Sequence, residues 1–287
     1  MGALDRLAGL LPAAAVRATP VSGGCICAAY RVDLADGRSV FVKERPGAPP
    51  GFFDTEAAGL RWLAGAGPDA VPTPEVVSVH PDALVLEWVA AGAPSAAAAE
   101  GFGRSLAATH GAGAPSFGGS RDGWIGSAPL PNRPADTWAR FYARARVQPY
   151  LRDAADRQAI SVADARAVGS VLDRIEDLAG PAEPPARVHG DLWSGNVRWA
   201  ADGRAWLVDP AAHGGHRETD LAMLALFGAP HLDRILAAYD EAAPLADGWQ
   251  RRVPLHQLHP LLVHAVLFGG GYGTQAGLLA RRALSAG

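Results

Sequence analysis

Val188-His189-Gly190-Asp191-Leu192-Trp193-Ser194-Gly195-Asn196, with Asp209-Pro210 thirteen residues beyond Asn196, holds the side chains best suited to chemistry in this 287-residue chain. Asp191 and Asn196 stand five apart, the spacing of the proton-accepting Asp and the metal-binding Asn in the phosphoryl-transfer loop H-R-D-x-x-x-x-N. Transfer of a phosphoryl group to a hydroxyl asks for these residue types. The phosphate charge must be neutralised by a cation while a carboxylate orients the incoming hydroxyl proton. Asp191 is therefore the candidate base, and Asn196 and Asp209 are the candidate Mg²⁺ ligands.

The basic residues sharpen this. The chain has 26 Lys and Arg, but Lys occurs once, at Lys43, and Asn only twice, at Asn132 and Asn196. An excess of Ala, Gly, Pro and Arg suggests a coding bias that removed Lys and Asn. A lone surviving Lys on an expected strand points to a site where a planar guanidinium cannot replace a compact ammonium. The plain alternative is chance survival on a surface.

These groups need scaffolding. A short hairpin, Val197-Arg198-Trp199 and Ala205-Trp206-Leu207-Val208 around Ala200 to Gly203, carries the chain from Asn196 to Asp209. Upstream, residues 3 to 15 read as a leading helix. Thr19-Pro20-Val21 is an expected strand leading into a glycine turn at Gly23-Gly24, followed by strands Ala28 to Leu34 and Arg38 to Glu44 around Ala35-Asp36-Gly37. Gly23 and Gly24 let backbone N–H groups approach phosphate oxygens above Lys43. Residues 52 to 63 have helical spacing, with Phe53, Ala57, Leu60 and Leu63 on one face. Glu56 on that helix is the candidate partner of Lys43, although most helical Glu residues are simply solvated. Two more strands, Val76 to Val79 and Ala83 to Val89, complete a five-stranded sheet. Leu86 to Val89, including Glu87 and Val89, is the expected hinge whose backbone meets an adenine edge.

Ala90 to Ser95 marks a boundary by composition, dividing the chain into residues 1–89 and 90–287. Helices are expected from Ser95 to about His110, over 136–152 and 162–179, and from Glu218 to Phe227, where Asp220 either caps the helix or bonds the catalytic loop. Further helices cover 231–242 and 253–268. Residues 111–134 form a long irregular stretch of the kind that is functional or mobile. Trp124, Arg121, Asp122 and Asn132 within it could shape an acceptor pocket. The run Gly269 to Gly273 reads as a structural turn. A net charge of −3 gives no footprint for nucleic acid and no polybasic membrane patch, and no apolar run is long enough to span a bilayer. The first residues do not read as a signal peptide, so the expected location is cytoplasmic. Cys25 and Cys27 stand too close together to staple a fold.

His189 to Asn196, Asp209-Pro210-Ala211, Arg217 to Met223, Asp122 to Ser127, Tyr239 to Leu245 and the tail Pro260 to Tyr272 together resemble the fructosamine kinase (ketosamine-3-kinase) family. That family is a branch of the protein-kinase-like fold, related to aminoglycoside phosphotransferases and choline kinases. The resemblance spans nearly the whole chain. It implies an α+β, bilobal protein-kinase-like fold, with a small antiparallel N-terminal lobe and a larger, mainly helical C-terminal one. It further implies ATP- and Mg²⁺-dependent phosphorylation of a ketosamine, at the 3-hydroxyl, as a deglycating repair step on free or protein-bound glycated amines. By position, Asp191 would handle the hydroxyl proton, Asn196 and Asp209 would bind Mg²⁺, Lys43 would hold nucleotide phosphates and Glu56 would brace Lys43. Trp193 is a candidate for packing against the ketosamine, with ordinary core filling as the competing reading.

The chain departs from the family pattern after Asp209. Ala212-His213-Gly214-Gly215-His216 stands where aromatic residues and Gly-Asp are usual, so His216 enters as a candidate determinant of the acceptor. Cys25 and Cys27 in the phosphate loop raise a redox-linked dimer through Cys25 against an otherwise monomeric protein. The competing functions are a kinase of aminoglycosides, choline or another amino alcohol, a catalytically dead nucleotide-binding module, and a histidine metal centre at His213 and His216. Retention of Lys43, Asp191, Asn196 and Asp209 together speaks against the dead module. The absence of further ligand spacing speaks against the metal centre.

Overall fold

The computed structural model describes residues 8–22 and 26–286. Gly23, Gly24 and Cys25 lie outside the described residues. The N-terminal part is a five-stranded antiparallel sheet in the order β1-β2-β3-β5-β4. Its strands are β1 (Ala15–Pro20), β2 (Ala28–Leu34), β3 (Ser39–Glu44), β4 (Val76–His80) and β5 (Ala83–Glu87), with helix α1 (Phe52–Ala64) between β3 and β4. The turn from β2 to β3 forms because Gly37 takes φ +85° and the Asp36 carboxylate accepts the Arg38 backbone N–H at 3.0 Å. Val32, Leu34, Val40, Val42 and Val85 fill one face of the sheet. Leu84 and Leu86 fill the other, against Phe53, Ala57 and Leu60 of α1. Thus β5 is buried on both faces and reads as a continuous apolar run. Burial of each large α1 side chain contributes about 1.5–3 kcal/mol to holding that helix, and with it Glu56, against the sheet.

The remainder is mainly helical. Helix α2 (Ala96–Gly111) starts at Ser95, whose hydroxyl accepts the Ala98 N–H at 3.1 Å. A small hairpin, β6 (Gly123–Ile125) and β7 (Ala128–Leu130), precedes α3 (Trp138–Phe141), a π-helical turn (Tyr142–Val147) and α4 (Gln148–Asp156). Then come α5 (Val162–Asp173), α6 (Ile175–Leu178) and β8 (Ala186–Val188). The hairpin β9 (Val197–Trp199) and β10 (Ala205–Leu207) is followed by β11 (His213–Gly215), which pairs antiparallel with β8. Helices α7 (Arg217–Phe227), α8 (Leu232–Ala242), α9 (Trp249–His256), α10 (Leu258–Phe268) and α11 (Tyr272–Ala286) complete the chain. The β8–β11 ladder closes the base of residues 189–212, so the catalytic stretch is a loop clamped at both ends.

Several expectations needed correction. Of the leading helix, the described residues show only a 3₁₀ turn at Ala8–Leu10, and from Ala15 the chain pairs with β2 as an edge strand. Alanine-rich composition favours a helix, but Pro12 interrupts it, and the strand expected at Thr19 to Val21 extends back to Ala15 through its ladder with β2. The helix expected over 136–152 is interrupted by the π turn, that over 162–179 breaks at Arg174, and that over 253–268 breaks at Gln257. The hairpin β6–β7 sits inside the stretch read as irregular, and α11 follows the glycine run where no element was assigned. Among the described residues, no helix is long and apolar enough to cross a membrane.

Candidate active site

Lys43 stands near the end of β3 with its side chain turned towards α1. Its Nζ donates to both Glu56 oxygens at 2.9 and 3.0 Å and to Asp209 Oδ1 across the cleft. One buried cation thus sits between two carboxylates. Burial opposes the Lys43 charge, but Asp209 and Glu56 outweigh it and hold the ammonium well above its usual pKa. Burial works against Asp209 as well, yet Lys43 keeps that carboxyl below the ordinary range. Asp209 itself lies at φ +55°, a left-handed backbone that a non-glycine residue adopts at a cost of about 1–2 kcal/mol. That strained turn at the end of the β9–β10 hairpin carries its carboxylate into the cleft.

Opposite lies Asp191. Asn196 Nδ2 donates to Asp191 O at 2.8 Å and to Asp191 Oδ2 at 3.0 Å. Burial, followed by the nearby negative charge of Asp209, pushes the Asp191 carboxyl up to about 8. The loop is held from beneath. The Asp220 carboxylate accepts the backbone N–H of His189 at 2.7 Å and of Gly190 at 2.9 Å. Asp220 therefore bonds the catalytic loop, and the cap of α7 falls to His216. His110 Nε2 lies 3.1 Å from Asp220, and its Nδ1 lies 2.8 Å from the Tyr239 hydroxyl. The sequence assigns no role to His110 or Tyr239, since their partners are 110 and 129 residues away. His189 donates from Nε2 to Val208 O at 2.9 Å and accepts the Asp191 N–H at Nδ1. It ties the catalytic loop to the strand leading to Asp209.

Two glycines make this loop possible. Gly190 has φ +81°, and a Cβ there would fall 2.3 Å from Ala211 O. A Cβ on Gly195 would fall 2.2 Å from the Trp193 ring, which lies directly over it. Gly195→Ala is therefore expected to displace the Trp193 indole. With the loop moved by about an ångström, kcat/KM should fall at least about tenfold, and steady-state kinetics showing wild-type values would mean that the indole has no fixed place in turnover.

Lys43, Glu56, Asp191, Asn196, Asp209, Trp193 and Trp124 all line one cavity of about 1000 Å³. Glu87 and Val89 line the same cavity at its hinge edge. Trp124 packs on Phe52, with ring centroids 6.1 Å apart. Trp193 remains 38 % exposed, which removes the core-filling reading. His216 is a correction. It is buried outside the cavity lining, accepts the Glu218 N–H at Nδ1 as the cap of α7, and packs against Trp138 and His256. His213 lines the cavity, but its Nδ1 is taken by Ala211 O at 2.8 Å. His216, Glu218 and His256 do cluster closely. However, Arg252 takes both Glu218 oxygens, at 2.5 and 2.9 Å, so this is an ion-paired core rather than a cation site. Cys27 also lines the cavity, and burial raises its thiol, which disfavours a reactive thiolate.

The donor set fits Mg²⁺. Asn196 uses Nδ2 towards Asp191, which leaves Oδ1 as an acceptor, and Asp209 adds a carboxylate whose side chain is partly open to the cavity. Hard oxygen donors of this kind suit that ion.

The fructosamine kinase family model matches residues 10–286. The chain belongs to the fructosamine kinase family. It is accordingly an ATP-dependent phosphotransferase with a protein-kinase-like α+β fold. A solved structure from Thermobifida fusca, described as a candidate fructosamine-3-kinase, is 51% identical, covers 99% of both chains and superposes with a TM-score of 0.93. A probable ketoamine kinase of Synechocystis is 38% identical over 92% of this chain and 89% of its own length. A chloroplastic protein-ribulosamine 3-kinase of Arabidopsis thaliana is 32% identical over 89% of this chain and 79% of its own.

Proposed function

We propose that this family member phosphorylates a sugar hydroxyl of ketosamines, at the 3-position, using ATP and Mg²⁺. The single observation that carries the reading is the contiguous set Lys43–Glu56–Asp209–Asn196–Asp191 along one cavity wall, in a chain whose relatives are described as ketoamine and ribulosamine kinases. Asp191 orients the acceptor hydroxyl and takes its proton as the oxygen attacks the terminal phosphorus of ATP and the bond from that phosphorus to the departing ADP breaks. Lys43, braced by Glu56, holds the nucleotide phosphates. Asn196 Oδ1 and Asp209 would hold Mg²⁺, which when bound neutralises charge on the transferring phosphoryl group. The hinge around Glu87 and Val89 meets the base, and Trp193 and Trp124 flank the acceptor. We assign residues 1–89 to a nucleotide-binding lobe and 90–287 to a catalytic and acceptor-binding lobe. The chain is further read as a cytoplasmic monomer, which size-exclusion chromatography checks.

The deciding experiment offers the protein ATP, Mg²⁺ and a panel of fructosamines, ribulosamines, erythrulosamines, choline and aminoglycosides, and locates transferred phosphate by NMR. Turnover of an amino alcohol with none of any ketosamine would overturn the reading. Lys43→Arg keeps the charge but replaces a point ammonium, bonded to two carboxylates, by a wider planar fork. It is expected to reduce kcat/KM for ATP by about tenfold or more, roughly the loss of one charge-assisted hydrogen bond. A wild-type value in a coupled ADP-release assay would make the solitary lysine a coincidence of composition.

A further inference from the structure

The chain contains two asparagines, and one of them is Asn196 in the catalytic loop. The other, Asn132, lines the same cavity on the wall that the nucleotide and metal assignments leave unused. Its surroundings are unusual. The backbone N–H of Asn132 donates to Asp122 Oδ1 at 2.8 Å, and its carbonyl accepts the Gly119 N–H at 2.8 Å. Its Oδ1 accepts from Arg146 Nη2 at 2.5 Å. Its Nδ2 makes no hydrogen bond among the described residues. A Cβ placed on Gly123 would lie 3.7 Å from that nitrogen, and Gly123 and its neighbour Thr55 both line the cavity.

Arg146 is what makes the orientation informative. It is 2 % exposed and forms no ion pair with a carboxylate among the described residues. It spends Nη1 on Pro131 O at 2.6 Å and lays its guanidinium over the Phe141 ring at 4.5 Å. Burial pulls this guanidinium down to about 10, so it remains charged at neutral pH. Burying a cation without a carboxylate partner carries a desolvation cost. What Arg146 does accomplish is to settle the asparagine. Only the carbonyl oxygen of a carboxamide can accept from a guanidinium, so the amide cannot flip and its NH₂ must point away from Arg146. The π-helical turn Tyr142–Val147 sets Arg146 in register, and Tyr150 anchors the same segment by donating to Pro129 O at 2.7 Å.

We infer that Asn132 is an acceptor-binding residue whose Nδ2, fixed by the buried Arg146, donates to a hydroxyl or carbonyl oxygen of the sugar. The inference rests on the phosphotransfer reading of the cavity and adds a reason for its acceptor class. A polyhydroxylated substrate has a second oxygen to meet this donor, whereas a simple amino alcohol such as choline has none besides the reacting hydroxyl. Arg146 is a positioning residue that acts through Asn132.

Asn132→Asp tests this with little change of shape. The carboxylate keeps and strengthens the Arg146 contact but offers the sugar acceptors instead of a donor. The expected result is a thermal midpoint no lower than wild type, KM for ATP within about twofold, and kcat/KM for the ketosamine reduced about tenfold or more. Asn132→Ala, which removes the donor without adding charge, serves if the carboxylate variant does not fold, and the same reduction is expected. Ketosamine kinetics within about threefold of wild type in a folded variant, or an equal change in KM for ATP, would overturn the inference while leaving the proposed function standing. Failure of the wild type to turn over any ketosamine would instead remove the proposed function itself.

Discussion

Asp191→Asn is expected to lower kcat by about 10²–10⁴-fold, the range for losing a positioned general base, while ATP binding stays near wild type. The substitution keeps the shape of the side chain and its proximity to Asn196 Nδ2, 3.0 Å from Asp191 Oδ2 in the native site. It removes only the group that can take a proton. Binding should survive because Lys43 and Glu56 reach the cleft from β3 and α1 independently of this loop. Isothermal titration with ATP analogues, set beside single-turnover transfer rates, separates the two effects. A variant retaining more than about a tenth of wild-type kcat would show that proton transfer to Asp191 is not part of the rate-limiting barrier.

Arg252→Met is expected to produce the largest loss of stability. Glu218 is 2 % exposed, and both its oxygens are taken by Arg252. Burial alone would raise this carboxyl, but His256 and Arg252 more than reverse that and draw it down to about 2. Removing the guanidinium strands a buried charge, at a cost of about 3–5 kcal/mol. At about 2–4 °C per kcal/mol for a chain of this order of size, the midpoint should fall by roughly 10 °C. The pH dependence has a definite sign. Because the folded-state pKa is depressed from an unfolded value of about 4.3, the native pair contributes fully above about pH 4.5 and is lost as pH falls towards 2. Loss of Arg252 should move acid unfolding to higher pH. Glu218→Leu combined with Arg252→Met should recover most of the deficit, since replacing both partners leaves no stranded charge. Differential scanning calorimetry between pH 3 and 8 reads both effects, and a double variant no more stable than the single one would show that packing of the arginine stem against Gly180, rather than charge, dominates.

This second pair has a functional consequence. Glu218 and Asp220 share the first turn of α7, and Asp220 holds the backbone of His189 and Gly190. The ion pair that secures α7 therefore also secures the platform beneath Asp191. Partial loosening should lower activity at temperatures below the unfolding transition.

The local parts of this site were legible in the chain itself. Asp191 and Asn196 bond each other because a five-residue loop brings them together, and the turn Asp202-Gly203 predicts the hairpin that delivers Asp209. Lys43 and Glu56 could be paired on paper because one strand and one helix, each with a clear apolar period, separate them. His216 was misplaced by the same kind of reasoning. Nearness in sequence to Asp209 suggested the acceptor pocket, but the β8–β11 ladder turns the chain inward there and buries the ring at the cap of α7. The edge strand β1 is expected only around Thr19 to Val21, because its alanine-rich start carries no strand signature until a partner ladder is present.

Sequence alone determined the reaction type, since motif spacing within a loop or hairpin is set by backbone geometry over a few residues. The tertiary structure decided what supports and tunes that chemistry. Asp220 with His110 and Tyr239, Glu218 with Arg252, and Asn132 with Arg146 are pairings across separate elements, and side chains in no local pattern find each other only once the core has packed.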